Sequence, residues 1–208
     1  DYYIVEQART ARRFLIQAGI EKAIDDLAFF ILNKRTARES LSSFLDPIIK
    51  EGKNIGLISE AGLPCVADPG SEIVQIAHQK NIEVVPLVGP SSIFLALMAS
   101  GMNGQKFSFT GYLPIKPPER KKRIRNLEKQ SAEDNETQIF IETPYRNNAL
   151  VDDIVSVCSP FTRLCVAGNL TTPDQSIKTH TIREWEEIDY DFHKQPAVFL
   201  LHASKKKK

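Results

Sequence analysis

The chain has 208 residues, a formal net charge of +1, 42% hydrophobic and 25% charged residues. That length holds one substantial domain or two of roughly 100 residues each, and the composition is that of an ordinary soluble globular protein. Whole-chain basicity is excluded as a basis for nucleic-acid binding, no apolar run approaches the ~18 residues of a membrane-spanning helix, and the first residues carry no signal-peptide pattern. The three cysteines (Cys65, Cys158, Cys165) are far apart and form no CxxC pair. Reduced thiols in a cytoplasmic protein are therefore expected, rather than a disulfide framework or zinc site. The four histidines are equally dispersed, and no metal site is expected.

In chain order, Tyr2 to Val5 reads as a short strand, followed by a helix ending near Gly19 with Phe14, Leu15 and Ile20 as its apolar positions. Leu27 to Leu32 reads as a buried strand. Thr36 to Glu51 has helical spacing, with Pro47 set to kink or divide it. Asn54 to Ser59 is the next strand, Ser71 to Lys80 a helix with Asn81 at its C-cap, and Ile82 to Leu87 another strand. Ser91 or Ser92 then caps a helix that stops at Gly101. Strands alternating with helices imply right-handed crossovers and a parallel sheet.

The pattern changes after Gly104. Phe107 to Thr110 is a strand, GYLPIKPPE a proline-rich turn, Arg120 to Gln130 a basic helix, and SAEDNET a polar loop. Gln138 to Glu142 is a strand and Asn147 to Cys158 a helix. Leu164 to Ala167, Ser176 to Ile182 and Ala197 to His202 are three more strands with little helix between them, so hairpins and a mixed or antiparallel sheet follow. The expected organisation is an α/β domain over residues 1–104 and an α+β domain over 105–208. Trp185 is expected at a strand edge or a dimer contact, and Lys205 to Lys208 as a solvated tail.

Two stretches dominate the first half: ISEAGLPCVADPG, from Ile58 to Gly70, and LVGPSSIFLALMASG, from Leu87 to Gly101. Each passes from an apolar run through glycine and proline into a helical pattern. In open α/β sheets, ligands sit beyond the carboxyl ends of the strands, where such turns lie. Gly62 and Gly89 permit close backbone approach, and a helix N-terminus at Ser91 suits a carboxylate or phosphate. Tight turns with an N-cap serine and no ligand are the plainer alternative. GxxxxGK[ST], GxGxxG after a strand, and GxSxG are all absent, and no Cys/His pair is adjacent. Nucleotide hydrolysis, dinucleotide binding and nucleophilic hydrolysis are disfavoured accordingly. What remains is a cofactor carrying its own reactivity, such as a sulfonium methyl donor, which asks the protein mainly for alignment and desolvation.

SEAGLPCVADPG resembles the S-D-A-G-T-P-x-x-x-D-P-G segment of the tetrapyrrole-methylase superfamily, the class III S-adenosylmethionine-dependent methyltransferases. The resemblance extends to VVPLVGPSS, to TGYLPIKPPER, to IFIETPYR and to VEQARTARRFL, in the expected order between Val5 and Arg146. It is nearest to the branch that methylates a ribose 2′-hydroxyl of small-subunit rRNA. The resemblance implies a two-domain αβα fold, mainly parallel in the first domain and mixed in the second, with S-adenosyl-L-methionine in the cleft between them. It also implies a homodimer. Cofactor contacts carried over from the family fall on Ala61, Gly62, Leu63, Val66, Ser91, Ser92, Glu142 and Leu170.

The chain departs from that branch in two places. Phe29 to Asn33 stands where the branch has S-Y-H-E-H-N, and Gly168 to Thr172 where it has R-E-L-T-K. The latter, with Gln175, is nearer to the G-T-x-x-x-Q pattern of porphyrin and corrin methylases. The acceptor is therefore expected to be an RNA ribose, with a tetrapyrrole or other small acceptor, or a non-catalytic RNA- or cofactor-binding role, as alternatives. Candidate acceptor-facing residues are Glu6, Arg9, Tyr112, Arg120 and Arg146. A structural Glu142–Arg146 pair, packing of Tyr112 at a hinge and a solvated α-helical face for Arg120 to Arg125 are the plainer readings. No general base is assigned.

Overall fold

The computed structural model describes residues 1–204, so the lysine tail lies outside the described residues. The chain folds as two compact units that divide between Ser91 and Ser92.

The first unit is built on three parallel strands in the order β2-β1-β3: β1 (Tyr2–Val5), β2 (Ala28–Ile31) and β3 (Ile55–Ile58). Helix α1 (Ala8–Gln17) follows β1 and buries Ala11 and Leu15, one turn apart on the same face. Phe14, expected inward, is exposed because it stands about 100° around the helix from Leu15. One sheet face carries Tyr2, Phe30 and Phe44 as a run of stacked rings. On the other face Tyr3 stacks on Phe29 at 5.8 Å. A Cβ at Gly56 would lie 2.8 Å from the Tyr3 ring, so glycine there lets that ring lie across β3. Arg38–Leu45 forms a 3-10 stretch and α2 (Asp46–Glu51) follows it. Pro47 does divide the segment, sitting in the first turn of α2 where its missing N–H costs nothing. Helix α3 (Gly70–Gln79) buries Ile73 and Ala77 against Ile4, Leu41 and Leu45.

Ile82 to Leu87 is not a strand. The segment has the apolar composition of one, yet no strand pairs with it among the described residues, and Val85, Leu87 and Val88 are exposed. An extended run becomes a strand only when a neighbour takes up its N–H and C=O groups, and composition alone cannot supply that neighbour.

The second unit opens with α4 (Ser92–Ser100), ahead of the Gly104 boundary expected. The reason is packing: Ala96 and Leu97 are buried with Ile139, Cys165, Val198 and Leu200 of the second sheet. The remaining elements are β4 (Phe107–Tyr112), α5 (Pro117–Asp134), β5 (Thr137–Ile141), α6 (Asn147–Val157), β6 (Arg163–Gly168), β7 (Ser176–Thr181), α7 (Ile182–Trp185) and β8 (Ala197–His202). The sheet is mixed, in the order β4-β5-β8-β6-β7, with β4 and β5 parallel and the other pairs antiparallel. Helix α5 runs through most of the expected SAEDNET loop. Ser131 is buried and its hydroxyl accepts the Ala203 N–H at 2.8 Å, while Asn135, at φ +53°, ends the helix in the left-handed region. Helix α7 carries a capping box between Thr181 and Glu184.

Trp185 is neither a strand edge nor an open surface. It is buried in the main core with Phe140, Phe199 and Phe192, and its indole N–H donates to the Leu164 carbonyl at 3.0 Å. His202, at the end of β8, is also buried, with Nδ1 3.3 Å from the Arg163 guanidinium. Burial first and the Arg163 charge second hold its pKa below the ordinary histidine value. The unfolded chain therefore takes up a proton near pH 6.5 that the folded chain refuses. Stability is expected to be full above that pH and to fall as pH drops below it, and His202→Gln is expected to flatten that part of a urea-midpoint-against-pH curve.

Candidate active site

In the first unit, Glu6 follows β1 and the first turn follows β3, so both lie at the carboxyl ends of parallel strands. The Glu6 carboxylate accepts the Glu60 N–H at 3.2 Å, fixing the start of the turn. The Ser59 hydroxyl donates to the Gly62 carbonyl at 3.0 Å. Asp68 closes the far end: its Oδ1 accepts the N–H groups of Cys65 at 2.8 Å and of Gly70 at 2.7 Å. Between these ties the chain arches outward, and Ala61, Gly62 and Val66 are exposed. A small hollow beneath the arch is lined by Val5, Glu6, Leu57, Ile58, Asp68 and Gly70.

Two non-glycine residues of the arch, Cys65 and Ala67, have φ of +69° and +62°. Left-handed backbone at such residues costs about 1–2 kcal/mol each and persists where the surroundings impose it, often at ligand sites. Ala67→Gly is accordingly expected to raise the urea midpoint, by about 0.5–1 kcal/mol of unfolding free energy. Gly62 has φ +71° and a Cβ there would meet nothing within 4 Å, so the turn needs its conformation and leaves open space above it. The second turn reaches the first: a Cβ at Gly89 would lie 3.5 Å from the Leu63 side chain. Leu63 and Gly89 are thus neighbours, although the run that leads into the second turn is not a strand. Ser91 ends this unit, and Arg9 is exposed on α1.

The second unit supplies Ser92 at the start of α4 and a group at one edge of its sheet. The register pairs Tyr112 with Ile141, Ile141 with Val198 and Val198 with Ala167. The carboxyl ends of β4, β5 and β6 therefore coincide, which brings Tyr112, Glu142 and the Asn169–Leu170 loop to one edge. The Glu142 carboxylate is buried, and its Oε1 accepts from the Thr143 N–H at 2.6 Å and from Arg146 Nη2 at 2.5 Å. Glu142 Oε2 and Arg146 Nε have no partner among the described residues. The pair raises the Arg146 pKa, chiefly through that hydrogen bond. Leu170 packs against the core cluster that contains Ile139, Ala167 and Val198, and its neighbours Asn169 and Thr171 have φ of +49° and +68°. The first turn and the Leu170 loop, two of the segments expected to touch a cofactor, thus each hold a pair of non-glycine residues in left-handed backbone.

Arg120 stands elsewhere. It is buried, its Nε and Nη2 donate to Asp153 Oδ2 at 2.7 and 2.5 Å, and its Nη1 donates to the Ile115 carbonyl at 3.2 Å. Its guanidinium ties the proline-rich turn and α5 to α6 and faces no acceptor. Lys121 is also drawn to Asp153, at 3.3 Å. Lys122, Arg125 and Lys129 are the exposed cations of this helix, and Lys129 lies 3.8 Å from Glu133. Burial pushes up the thiols of Cys65, Cys158 and Cys165, which disfavours their thiolate forms. Sequence reasoning passed over Tyr145, which is exposed immediately before Arg146; its signal was an aromatic between Pro144 and a cation.

The arrangement is a backbone-rich turn at a strand end with a second turn beside it in one unit, and a buried acidic group with flanking loops at strand ends in the other. It suits positioning of a ligand more than proton transfer or nucleophilic attack. Residues 14–186 match the family model of the tetrapyrrole (corrin/porphyrin) methylases. The chain is 32% identical over 209 aligned positions to the ribosomal RNA small subunit methyltransferase I of Haemophilus influenzae, covering 99% of this chain and 70% of that protein. Among solved structures, the methyltransferase CobJ matches with a TM-score of 0.60 at 18% identity, covering 100% of this chain and 95% of that one. Uroporphyrin-III C-methyl transferase from Thermus thermophilus, solved with S-adenyl homocysteine, matches with a TM-score of 0.50 at 16% identity over 97% of this chain and 96% of that one. With the matched region spanning the turns of both units, the chain belongs to the tetrapyrrole methylase family.

Proposed function

We propose that the protein transfers the methyl group of S-adenosyl-L-methionine to a ribose 2′-hydroxyl of small-subunit rRNA. The observation that carries this reading is the 32% identity, across 99% of the chain, to a relative named as an rRNA methyltransferase. The solved neighbours, the methyltransferase CobJ and a cobalt precorrin-4 methyltransferase, share the fold at 18% identity or less. The residues fit the donor. Gly62 leaves an uncovered backbone, Ala61, Leu63, Val66 and Ser91 belong with it to the first unit, and Ser92, Glu142 and Leu170 belong to the second. The orphaned Glu142 Oε2 is a buried acceptor suited to a hydroxyl or amine of a ligand. When bound, the sulfonium supplies an electrophilic methyl group that the protein has only to align and desolvate. Glu6 acts through the Glu60 N–H by holding the first turn, and homodimerisation is part of the same reading.

Titration calorimetry with S-adenosyl-L-methionine tests the donor, and heat-silent titrations would sink it. Methyl incorporation into 30S subunits against uroporphyrinogen tests the acceptor, with incorporation only into the latter reversing the assignment. Charge reversal at the exposed Lys122 and Arg125 is expected to weaken RNA binding and lower its salt dependence.

A further inference from the structure

The sheet edge that carries Glu142 also carries side chains that neither the core nor the donor reading uses. Tyr145 is 71% exposed on the single 3-10 turn Pro144–Arg146 between β5 and α6. Exposing so large a ring contributes nothing to folding, yet the turn beneath it is firmly held. The Lys194 N–H donates to the Pro144 carbonyl at 3.0 Å, and the Asn147 amide donates to the carbonyls of Phe192 at 3.1 Å and Gln195 at 2.7 Å. His193, on the bracing loop, meets the Tyr145 ring edge-on at 5.8 Å. The aromatic is thus presented on a rigid base, with most of its ring uncovered.

Arg146 follows directly. One nitrogen, Nη2, is tied to the buried Glu142, while Nε has no partner among the described residues and the side chain is one-third exposed. Tyr112, also exposed, ends β4 opposite the last residue of β5 and is close enough to contribute to the Arg146 charge environment. The first turns of α5 are joined to α6 through Asp153 and carry Lys122 and Arg125 outward, while the Asp191 carboxylate accepts the His193 N–H on the bracing loop at 2.8 Å. A π-face and a fixed guanidinium on consecutive residues of one braced turn match the two parts of a nucleotide: a base to stack and a phosphate to pair. Every base has a π-face, but a base within a duplex already has both faces stacked.

We propose that Tyr145 and Arg146 grip one unpaired nucleotide of an RNA strand, Tyr145 stacking on the base and Arg146, oriented by Glu142, pairing with the adjoining phosphate. The proposal rests on the reading of RNA as acceptor and adds to it that the target is single-stranded at that point. Arg146 touches the ligand; Glu142 is a positioning residue that keeps the guanidinium in one orientation.

The test is fluorescence anisotropy of the full chain with a labelled single-stranded oligoribonucleotide and with the same sequence as a duplex. Tyr145→Ala is expected to weaken single-strand binding by roughly 5- to 150-fold, the range for loss of one stacked base. Tyr145→Phe is expected to restore it, and duplex binding is expected to be unaffected by either change. Arg146→Gln is expected to lower the slope of log affinity against log salt by about one contact. Urea midpoints of all variants accompany the measurement, so that damage to the fold is seen directly. Unchanged single-strand binding by Tyr145→Ala, failure of phenylalanine to restore it at an unchanged midpoint, or an equal loss on duplex RNA would overturn the proposal. So would a wild-type chain that ignores single strands. The acceptor reading fails separately: a wild-type chain that methylates uroporphyrinogen but not 30S subunits removes it. A chain that methylates RNA equally well with Tyr145→Ala overturns only the grip.

Discussion

Asp153→Ala is expected to lower the unfolding free energy by about 3–5 kcal/mol, the cost of leaving a buried charge without its partner. The side chains of Arg120 and Asp153 are 4% and 10% exposed, and one carboxylate oxygen takes both the Nε and Nη2 bonds. Removing the carboxylate strands a guanidinium that water cannot reach, beside a half-buried Lys121 that loses the same partner. Replacing both ends together, as Arg120→Met with Asp153→Leu, is expected to cost far less, because the desolvation penalty disappears with the charges. Urea unfolding of the single and double variants measures the difference. A loss below about 1 kcal/mol for the single variant would mean that the pair is a solvated one. Arg120 would then return to the set of candidate acceptor contacts.

Gly62→Val is expected to abolish donor binding out of proportion to its effect on stability. Within the chain a Cβ at this position meets nothing within 4 Å, so the main folding cost is that of a left-handed backbone at a β-branched residue, about 1–2 kcal/mol. A ligand lying against the exposed backbone would meet the side chain directly, and affinity by calorimetry is expected to fall at least tenfold, about 1.4 kcal/mol. Gly62→Asn separates the two causes, since asparagine tolerates left-handed φ. If asparagine restores binding, strain was the whole effect; if it does not, the donor needs the bare backbone.

Glycine and proline punctuation made the first turn legible. Gly62, Asp68 and Gly70 are local devices whose roles depend on backbone angles and short-range hydrogen bonds, and they appear in the structure as that pattern implies. Helices α3, α4 and α6 were legible for the same reason. Local rules failed where a distant partner decides. The run from Ile82 has strand composition but no strand paired with it, and α5 continues past its expected end because Ser131 finds the Ala203 N–H. Trp185 sits in the core because Leu164, distant in sequence, offers a carbonyl to its indole.

What the sequence by itself determined is the order of strand-end turns, the class of ligand such turns suit, and the family those motifs mark. What only the tertiary structure decided is which side chains share an edge and which are spent on the fold. Arg120 and Arg146 look alike in the sequence, each a cation at the end of a motif. One is buried against Asp153 and the other stands half-tied beside an exposed tyrosine. Nothing local distinguishes them, because the partner that neutralises Arg120 lies on another helix, and strand register alone brings Tyr112 to the edge where Arg146 stands.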